Sequence, residues 1–490
     1  MLPEVRSTYG ACRNFIGGKW APSSSERRLD IVNPATAEVI GEVPLSTKED
    51  VNAAVDAAAY AFDSWRKVSP VERARYLFRL RGLLESHVEE LSRIITQDQG
   101  KTIEEARGEM RRAIENVEVA CGIPSLMMGY GLEDGAAAGI DEQVTYQPLG
   151  VFAAITPFNF PAMIASWFWP YAVAAGNTFI VKPSEQDPLV QQRIFELIDE
   201  AGFPPGVINL VNGGKDTVDA ILAHPDIRGI SFVGSTPVAK YVYAQAAAHG
   251  KRAQCGGGAR NFLVILPDAK LDQAAENVAS SVYGMAGERC LAGSVVVPLG
   301  DAGSKFLPKF ERAATSLRLG YGLDPSVSLG PVVSRAHRER ILSRIATGED
   351  EGVTVPLDGR KVRVPDYHGW FVGPTIVDGA TEDMKILREE IFGPVATVLR
   401  EESLNEAIEA IHRIPYGNAA SIYTQSGSAA REFRYRVRCG NIGVNVGVAA
   451  PMAYFPFGGM RDSFFGDLHG QGRDAVRFFT ESKVVIERWR

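Results

Sequence analysis

Short apolar runs alternate with helix-like segments from about residue 150 to about residue 255, and this alternation constrains the fold more than any other feature. The runs GVFAAITP, NTFIVKPS and VINLVNGG each end at a proline, a serine or a glycine, as buried strands commonly do. Between them lie the helix-like segments AMIASWFWPYAVAAG and QDPLVQQRIFELIDEAG, each closed by a glycine. Strands and helices in this order predict a parallel sheet of Rossmann type.

A second alternation of the same kind begins after about residue 256. It contains NFLVILPDA, a helical segment at 271–287, GSVVVPLG and a helical segment at 303–317. A chain of 490 residues is also too long for one ordinary domain. We therefore predict an α/β protein with two open, Rossmann-like parallel-sheet domains.

Three further segments lie outside these sheets. Residues 48–127 are helical in pattern, and Ser46 with Glu49 predicts a capping box at their start. Residues 128–146 are rich in glycine and alanine, and the chain ends in the strand-like sequence SKVVIERW. An apolar strand near a terminus has an exposed edge, so this tail could pair with residues 128–146 or with another subunit.

Charge and hydropathy argue against several classes of protein. The net charge is −7 and no run of lysine and arginine is present, which argues against nucleic acid as a partner. The longest apolar stretch, MIASWFWPYAVAAGNTFIV, contains a proline and is followed by Lys182, so it predicts a helix and a strand rather than a membrane span. The N-terminal sequence also lacks the pattern of a signal peptide.

The five cysteines indicate the expected compartment. They are odd in number and far apart, and no two of them form a CxxC pair: Cys12, Cys121, Cys255, Cys290 and Cys439. This spacing argues against a disulfide framework and against a zinc site. We therefore expect a cytoplasmic protein, in a reducing compartment, with no metal centre.

Cys290 is the cysteine whose surroundings best suit chemistry. In GMAGERCLAG it follows Arg289 and has small neighbours, which leave room for a substrate carbon to approach the sulfur. A nearby cation or helix end lowers the pKa of a thiol and so supplies the nucleophilic thiolate. The alternative is a buried cysteine that packs as a small apolar side chain.

Polar motifs follow three strands of the first predicted sheet, at the end where open α/β sheets bind ligands. In KPSE, Lys182 and Glu185 can hydrogen-bond the hydroxyls of a ribose, or form a solvated pair in a loop. In ITPFNFP, Asn159 lies between two prolines, where its amide can donate to an oxyanion or close an Asx turn. FVGSTP can open a helix onto a phosphate. The usual dinucleotide fingerprint GxGxxG is absent from this part of the sequence.

Six motifs occur together and in order along nearly the whole chain, and on them the sequence resembles the aldehyde dehydrogenase superfamily. They are ITPFNFP (155–161), VKPSE (181–185), FVGST (232–236), GERC (287–290), EEIFGPV (389–395) and FPFGG (455–459). Four further stretches resemble the CoA-acylating methylmalonate-semialdehyde dehydrogenase branch: GEMRRAIENVEVACGIPSLMMG (108–129), HGKRAQ (249–254), GARN (258–261) and PMAYFPFGGMRDSFFGDLHGQG (451–472).

The resemblance implies a role for each candidate position. Cys290 is the expected nucleophile, and Asn159 with the backbone N–H of Cys290 forms the expected oxyanion hole. Lys182 and Glu185 are expected at the adenine-side ribose of NAD and Ser235 at its pyrophosphate, while Glu390 would bind the nicotinamide-side ribose and Phe392 the nicotinamide. The full set expected to bind NAD is Thr156, Pro157, Phe158, Lys182, Ser184, Glu185, Gly234, Ser235, Glu390 and Phe392.

The family fold implies a division of the chain into three parts. We expect an NAD-binding domain (1–127 and 147–255), a catalytic domain (256–435) followed by a return toward the cofactor domain (436–465), and an oligomerisation element (128–146 and 466–490). The implied assembly is a homo-oligomer, a tetramer built as a dimer of dimers.

One departure from the family pattern concerns the release of the acyl group. Hydrolytic members carry a glutamate, two residues before the GK of ELGGK, that activates the attacking water; aligned on GARN, this chain has Gly256 there. No carboxylate occurs between Lys251 and Pro267. Attack by water is expected to be slow without this general base, and the resemblance implies coenzyme A as the acyl acceptor. A hydrolytic dehydrogenase of another aldehyde is the alternative.

Two arginines are the candidates for binding a substrate carboxylate, because the guanidinium fork matches a carboxylate. The resemblance assigns this role to Arg112 and Arg289. For Arg112 the alternative is a helix-surface ion pair with Glu115, a role better suited to Arg111. For Arg289 the alternative is activation of the thiol or a structural contact.

The reaction implied by these features is the oxidative decarboxylation of malonate or methylmalonate semialdehyde, which gives acetyl-CoA or propionyl-CoA, CO2 and NADH. A non-catalytic protein that keeps the fold is disfavoured, because the nucleophile and the NAD positions are all present. Two other positions differ from the family pattern: Arg260 replaces the lysine usual in GAKN, and Ala239 replaces the glycine usual in FVGSxxxG. The alanine predicts a shifted phosphate turn.

Overall fold

The computed structural model describes residues 1–489 of the chain. Its strands are β1 (Gly10–Ala11), β2 (Asn14–Ile16), β3 (Lys19–Ala21), β4 (Arg28–Val32), β5 (Val39–Pro44), β6 (Tyr130–Leu132), β7 (Ile140–Pro148), β8 (Val151–Ile155), β9 (Thr178–Lys182), β10 (Ile208–Leu210), β11 (Ile227–Val233), β12 (Arg252–Gly256), β13 (Asn261–Ile265), β14 (Gly293–Pro298), β15 (Thr354–Leu357), β16 (Thr375–Asp378), β17 (Val395–Val398), β18 (Tyr416–Gly417), β19 (Ala419–Tyr423), β20 (Asn441–Val444), β21 (Met460–Arg461), β22 (Phe464–Phe465) and β23 (Thr480–Arg488). Its α-helices are α1 (Lys48–Trp65), α2 (Pro70–Ser86), α3 (Val88–Gln99), α4 (Ile103–Cys121), α5 (Ile123–Leu126), α6 (Met163–Ser166), α7 (Trp169–Ala175), α8 (Leu189–Glu200), α9 (Lys215–Ala223), α10 (Thr236–Ala248), α11 (Leu271–Tyr283), α12 (Ala302–Thr315), α13 (Arg335–Asp350), α14 (Lys385–Arg388), α15 (Leu404–Arg413), α16 (Gly427–Arg436) and α17 (Gly472–Phe478).

The first sheet has eight strands in the order β22-β12-β11-β8-β9-β10-β2-β3. The strands from β12 to β10 run parallel, and the strands outside them pair antiparallel. β8 and β9 are buried along their whole length, because helices cover both faces of such a sheet. This is the parallel sheet that the first alternation predicts.

The second sheet has seven strands in the order β15-β16-β17-β14-β13-β19-β20. All its pairs are parallel except that between β15 and β16. The predicted fold class, with two open Rossmann-like sheets, is therefore confirmed. β20 lies after residue 435, so this sheet extends beyond the boundary expected for the second domain. The chain then returns to the first sheet, where β22 pairs with β12.

A small third sheet joins the two segments that fitted neither domain. β23 pairs antiparallel with β7 along its whole length, from Thr480 opposite Pro148 to Arg488 opposite Ile140, and β6 pairs with the other edge of β7. The tail therefore pairs within its own chain, which was one of the two alternatives. Val484 and Ile486 lie two residues apart on β23 and are both exposed, so this sheet presents an apolar surface to solvent.

Helix α1 begins with a capping box that lies one residue after the expected one. Thr47 is the N-cap, and its partner is Asp50 rather than Glu49. Ser46 is buried, and its hydroxyl accepts a hydrogen bond from Asn14 Nδ2 at 2.9 Å, so it is not available as a cap. Within residues 1–489, no helix combines the length and the apolar character needed to cross a membrane.

Candidate active site

The carboxyl ends of three adjacent parallel strands bring the candidate cofactor residues together. Ile155 at the end of β8 is in register with Lys182 on β9 and with Phe232 on β11. The segments that follow these strands therefore lie at one edge of the first sheet: 156–159, 183–185 and 234–235. Open α/β sheets bind nucleotides at this edge.

Lys182 is buried at the end of β9, and its Nζ donates to Glu185 Oε2 at 3.0 Å. The hydroxyl of Ser184 accepts the N–H of Gln186 at 3.1 Å and fixes the turn between the two charged residues. Lys182 and Glu185 thus form a pair in which the lysine is shielded from solvent and the carboxylate is partly exposed.

Ser235 is the N-cap of α10, and its side chain makes no capping hydrogen bond. Its hydroxyl and the first N–H groups of α10 are thus available to a phosphate at the positive end of the helix dipole. Gly234 has no space for a side chain, because a Cβ there would lie 2.5 Å from the ring of Phe232. The N–H of Ala239 donates to Ser235 O at 2.9 Å, so the first turn of α10 closes regularly with alanine at this position.

The amide of Asn159 faces the sulfur of Cys290. Asn159 Nδ2 lies 3.7 Å from Cys290 Sγ and donates to the backbone oxygen of Glu288 at 2.9 Å. Burial raises the pKa of the Cys290 thiol to about 11, an effect that the Asn159 hydrogen bond opposes and the charge of Glu390 increases. The thiol is therefore neutral at neutral pH in the free protein, and an amide donor stands beside it.

A left-handed turn presents Cys290 to this amide. Met285 and Ala286 both have φ of 52°, and Gly287 has φ of 74°. A Cβ at Gly287 would lie 2.1 Å from Gly393 O, so this position requires glycine. The carbonyl oxygen of Cys290 is fixed from the other side, where it accepts hydrogen bonds from Asn261 Nδ2 at 2.9 Å and Asn418 Nδ2 at 2.8 Å.

Glu390 and Phe392 lie close to the same site on the second domain. Glu390 Oε1 accepts the N–H of Ala259 at 2.8 Å, and burial raises the pKa of Glu390 to about 7. Phe392 has a φ of 57°, and its ring meets that of Phe158 edge-on at 5.9 Å. The two aromatic residues assigned to NAD, one from each domain, are thus in contact.

Arg260 has a structural role. It is buried, its Nε donates to Leu387 O at 2.7 Å, and its Nη2 donates to Ile386 O and to Thr397 Oγ1. These bonds hold the segment that leads to Glu390. The guanidinium therefore uses Nε and Nη2 within the protein, while Nη1 is buried without a hydrogen-bond partner.

Arg112 and Arg289 line one cavity of about 380 Å³. Arg289 Nη2 lies 3.2 Å from Glu105 Oε1. Arg112 Nη1 lies 2.8 Å from Glu115 Oε2, so Arg112 forms the ion pair that we had assigned to Arg111. One wall of the cavity is apolar and includes Phe160, Met163, Trp167, Met285 and Phe457. Four glutamates also line it: Glu104, Glu105, Glu109 and Glu115. A substrate carboxylate bound here would therefore replace Glu105 and Glu115 as the partner of the two guanidinium groups.

A smaller cavity shares Trp167 and Phe457 with the first one and is lined by Cys290 and Gly256. The ring centroids of Trp167 and Phe457 are 4.2 Å apart. Within the described chain, no carboxylate side chain lines this smaller cavity. A Cβ at Gly256 would lie 3.4 Å from its nearest neighbour, Val233 Cγ2, so steric crowding does not require glycine there.

Comparison with known proteins agrees with this geometry. The model of the aldehyde dehydrogenase family matches residues 20–485. The chain belongs to the aldehyde dehydrogenase family. Malonate-semialdehyde dehydrogenase 3 of Geobacillus kaustophilus is 49% identical over 478 residues, which cover 98% of this chain and 99% of the relative. Malonate-semialdehyde dehydrogenase 2 of Geobacillus thermodenitrificans is 50% identical over 476 residues, which cover 97% and 98%.

Solved structures of the family resemble this aldehyde dehydrogenase over its whole length. A structure from Sinorhizobium meliloti, complexed with NAD, has 45% sequence identity and a TM-score of 0.96, and the match covers 99% of this chain and 98% of that one. The methylmalonate-semialdehyde dehydrogenase of Oceanimonas doudoroffii has 42% identity and a TM-score of 0.96, and covers 98% and 99%. The resemblance drawn from the motifs is thus confirmed.

The motifs of the aldehyde dehydrogenase family did not reveal four charged residues around the site. Lys101 and Glu109 contact the segment that carries Asn159, Glu105 contacts Arg289, and Glu288 lies directly before it. Burial raises the pKa of Glu288 to about 8, and its carboxylate accepts from Gln99 Nε2 and the N–H of Val333. The sequence QGKTIEE does contain a partial signal for Lys101. This residue lies between a glycine and the capping box of Thr102 and Glu105, at the junction of two helices.

The described residues contain no group of three or more histidine, cysteine, aspartate or glutamate side chains that could hold a metal ion. All five cysteines are free, and Cys290 alone among them is less than fully buried.

Proposed function

We propose that the protein is a CoA-acylating, NAD-dependent dehydrogenase of malonate or methylmalonate semialdehyde. The observation that carries this proposal is the cavity beside Cys290, which contains Gly256 and is lined by no carboxylate side chain of residues 1–489. The neighbouring cavity with Arg112 and Arg289 supports a substrate that carries a carboxylate. The relatives of about half identity that are named malonate-semialdehyde dehydrogenase support the same substrate class.

The proposed cofactor is NAD, bound at the carboxyl edge of the first sheet. Lys182 and Glu185 would bind its adenine-side ribose, Ser235 the pyrophosphate, and Glu390 and Phe392 the nicotinamide end. The buried Lys182, the free hydroxyl of Ser235 and the contact between Phe158 and Phe392 fit these assignments. The NAD complex of a relative with 45% identity supports them further. When bound, NAD would accept the hydride from the carbon of the substrate.

In the proposed reaction the Cys290 thiol loses its proton to water, the resulting thiolate attacks the aldehyde carbon, and the carbonyl electron pair moves to the oxygen. The Asn159 amide and the Cys290 N–H donate hydrogen bonds to that oxyanion. Loss of hydride from the carbon re-forms the carbonyl as a thioester on Cys290. The carboxylate β to this thioester leaves as CO2, and its electron pair forms an enolate that is protonated at the α carbon. The thiol of coenzyme A then attacks the thioester, and Cys290 leaves as a thiolate.

A hydrolytic dehydrogenase remains the second candidate, because one carboxylate lies within electrostatic reach of the sulfur. The charge of Glu390 raises the pKa of Cys290, and the pKa of Glu390 itself is about 7. A group with this pKa suits a general base. In the structure, however, Glu390 is bound to the N–H of Ala259.

The test is to follow NADH formation from malonate and methylmalonate semialdehyde with and without coenzyme A. Without coenzyme A we expect a burst of about one NADH per active site, followed by slow turnover, because the thioester accumulates on Cys290. With coenzyme A, mass spectrometry should find acetyl-CoA or propionyl-CoA. Sustained turnover at the full rate in the absence of coenzyme A, with a free acid as product, would reject acylation in favour of hydrolysis.

We further propose a cytoplasmic homotetramer that assembles through the small sheet of β6, β7 and β23. The exposed Val484 and Ile486 on β23 and the exposed Tyr130 and Leu132 on β6 support this surface as the contact. An apolar surface of this kind on a soluble domain usually marks an interface.

A further inference from the structure

We propose that Lys101 and Glu109, a buried ion pair, are positioning residues that hold the oxyanion donor Asn159 in place. The inference rests on the roles proposed above for Cys290 and Asn159. Lys101 Nζ contacts Glu109 Oε2, and both side chains have 0% of their surface exposed. The same Nζ donates to the backbone oxygen of Asn159 at 2.7 Å and lies 4.5 Å from the centre of the Phe160 ring.

The second carboxylate oxygen of Glu109 binds the other end of the segment that begins at Asn159. Glu109 Oε1 accepts the N–H groups of Ala162 at 2.8 Å and Met163 at 3.1 Å. The ion pair therefore binds the backbone both at Asn159 and at the start of α6. Charge-assisted hydrogen bonds of this kind are the strong ones, and they fix a definite geometry.

Side chains make several of the hydrogen bonds of the backbone from 159 to 163. Besides the contacts of the ion pair, the oxygen of Pro161 accepts from Gln191 Nε2 at 2.6 Å, while the oxygen of Phe160 accepts the backbone N–H of Ile164 at 3.2 Å. No strand includes this segment. The place of the Asn159 amide, 3.7 Å from Cys290 Sγ, is thus set by buried side chains that arrive from other parts of the chain.

A buried ion pair is a poor means of stabilising a fold, because the desolvation of two charges cancels much of their attraction. Apolar residues of similar volume often serve stability as well or better. We therefore attribute the charged pair at this position to its alignment of the segment that carries Asn159. Removing one partner leaves an uncompensated buried charge, so a test must neutralise both together.

Helix α4 connects this alignment to the binding of the substrate carboxylate. Glu109 and Arg112 lie three residues apart on α4 and line the same cavity. Residues at this spacing share one face of a helix. One rigid element therefore carries the proposed carboxylate ligand Arg112 and the residue that fixes the oxyanion segment, and it sets the distance between the two ends of the substrate.

The test is a double-mutant cycle between the ion pair and Asn159, read by the rate of the NADH burst. In the variant Lys101→Met with Glu109→Gln, the glutamine can still accept from the N–H groups of α6, while the bond to the Asn159 oxygen is lost. We expect the burst to slow by at least about tenfold, because a displacement of ~1 Å in an active site can cost on the order of 10²-fold. In an Asn159→Ala background the same pair of substitutions should slow it by less than about twofold.

The matched control is a partly exposed ion pair at the other end of the same helix, Glu118 with Arg81, neither of which lines the substrate cavity. Replacing it by Glu118→Gln with Arg81→Met should leave the burst rate unchanged. A purely structural role for Lys101 and Glu109 would slow the burst equally in both backgrounds, and that result overturns the positioning role while leaving the proposed function intact. An Asn159→Ala variant with a normal burst would overturn both.

If that double variant does not fold, Lys101→Met with Glu109→Met carries the same cycle, because it removes both buried charges and replaces them by apolar side chains of similar volume. NAD affinity, measured by fluorescence quenching, should be unchanged in every variant of the cycle. An unchanged burst rate in this second double variant would also overturn the proposal.

Discussion

The side-chain nitrogen of Asn159 lies 3.7 Å from the sulfur of Cys290 and 2.9 Å from the backbone oxygen of Glu288. A substrate carbon bonded to the sulfur would place its oxygen within reach of this amide. Removing one donor of an oxyanion hole commonly costs on the order of 10²- to 10³-fold in rate. We therefore expect Asn159→Ala to slow the NADH burst by about that factor in stopped-flow experiments.

The matched control for this variant is Asn209→Ala, which removes a buried amide that bonds Gly206 O and the N–H of Gly17 and lines neither cavity of the site. Asn209→Ala should retain a burst within about threefold of the unchanged protein, since its effect is on packing. Equal losses in the two variants would contradict the oxyanion role of Asn159.

The thiol of Cys290 should react slowly in the NAD-free protein at neutral pH. Burial raises its pKa to about 11, and only the thiolate is reactive. Alkylation by iodoacetamide should therefore accelerate about tenfold per pH unit between about pH 7 and about pH 10. Glu390→Gln removes a negative charge and lowers the pKa of Cys290, so it should speed labelling above about pH 7, where Glu390 is ionised.

Mass spectrometry can measure this labelling at Cys290 alone, because the other four cysteines are buried. Glu389→Gln is the control, since Glu389 pairs with Arg344 and does not contribute to the pKa of Cys290. A labelling rate that levels off near pH 8 would contradict the raised pKa.

The fold was predictable where the sequence carries a local signal. β8 and β9 are short apolar runs that end at proline-containing motifs, and α7 ends at Gly176, as the pattern indicated. The helix expected at 271–287 ends instead at Tyr283. Met285 and Ala286 turn left-handed there, and no local signal predicts this for residues with side chains. The turn is held by Glu105, which accepts the N–H of Met285 from 180 residues away.

Only those residues of the candidate site that belong to recognisable sequence motifs were predictable. The residues at the strand ends and Cys290 were identified in this way, and the structure brings them together. The contact from Lys101 to Asn159 joins residues that are 58 positions apart in sequence. It was not predictable, because only the tertiary fold brings these two residues together. The ion pair of Arg112 with Glu115 shows a related limit, because helical spacing favoured Arg111 for this role and the structure has Arg112 in it.

Arg112 and Arg289 should govern recognition of the substrate carboxylate. A charge-assisted hydrogen bond contributes about 1.5–3 kcal/mol, so Arg112→Leu or Arg289→Leu should raise the KM for malonate semialdehyde by about 10- to 100-fold. The kcat/KM for propanal, which has no carboxylate, should stay within about twofold, since neither arginine contacts the reacting thiol.

Arg111→Leu is the control for these two variants. Arg111 lies on α4 beside Arg112, and both line an outer cleft, but only Arg112 also lines the cavity that contains Arg289. It should leave the kinetics for both aldehydes unchanged. If all three arginine variants behave alike, or if propanal and the semialdehyde are affected equally, the two arginines do not form a carboxylate site.

The small sheet should be the assembly surface. Val484 and Ile486 are exposed side chains on one face of β23, which pairs with β7 over nine positions. Val484→Asp with Ile486→Asp places two charges on that face, and burying them in an interface costs several kcal/mol. We expect light scattering to show smaller species, with an unchanged far-ultraviolet circular dichroism spectrum. The control is Lys483→Asp on the opposite face of β23, which should leave the mass of the oligomer unchanged. If the double variant also keeps that mass, this sheet is not the interface.

Gly256 should decide which nucleophile releases the acyl group. The position faces the cavity that contains Cys290, and a Cβ there meets no atom closer than 3.4 Å, so the backbone at position 256 accepts a residue with a side chain and Gly256→Glu directs a carboxylate toward this cavity. A positioned general base typically adds 10²- to 10⁴-fold to a proton-transfer step. We expect turnover without coenzyme A to rise by on the order of 10²-fold, with acetate or propionate as the product.

Gly256→Gln is the control, because glutamine has the size of glutamate but cannot take a proton from water. It should keep the slow turnover of the unchanged protein when coenzyme A is absent. If glutamine accelerates that turnover as much as glutamate does, the acceleration is a steric effect of the larger side chain and not base catalysis. If neither does, a missing carboxylate at position 256 is not what protects the thioester from water, and the case for coenzyme A as acceptor loses its chemical basis.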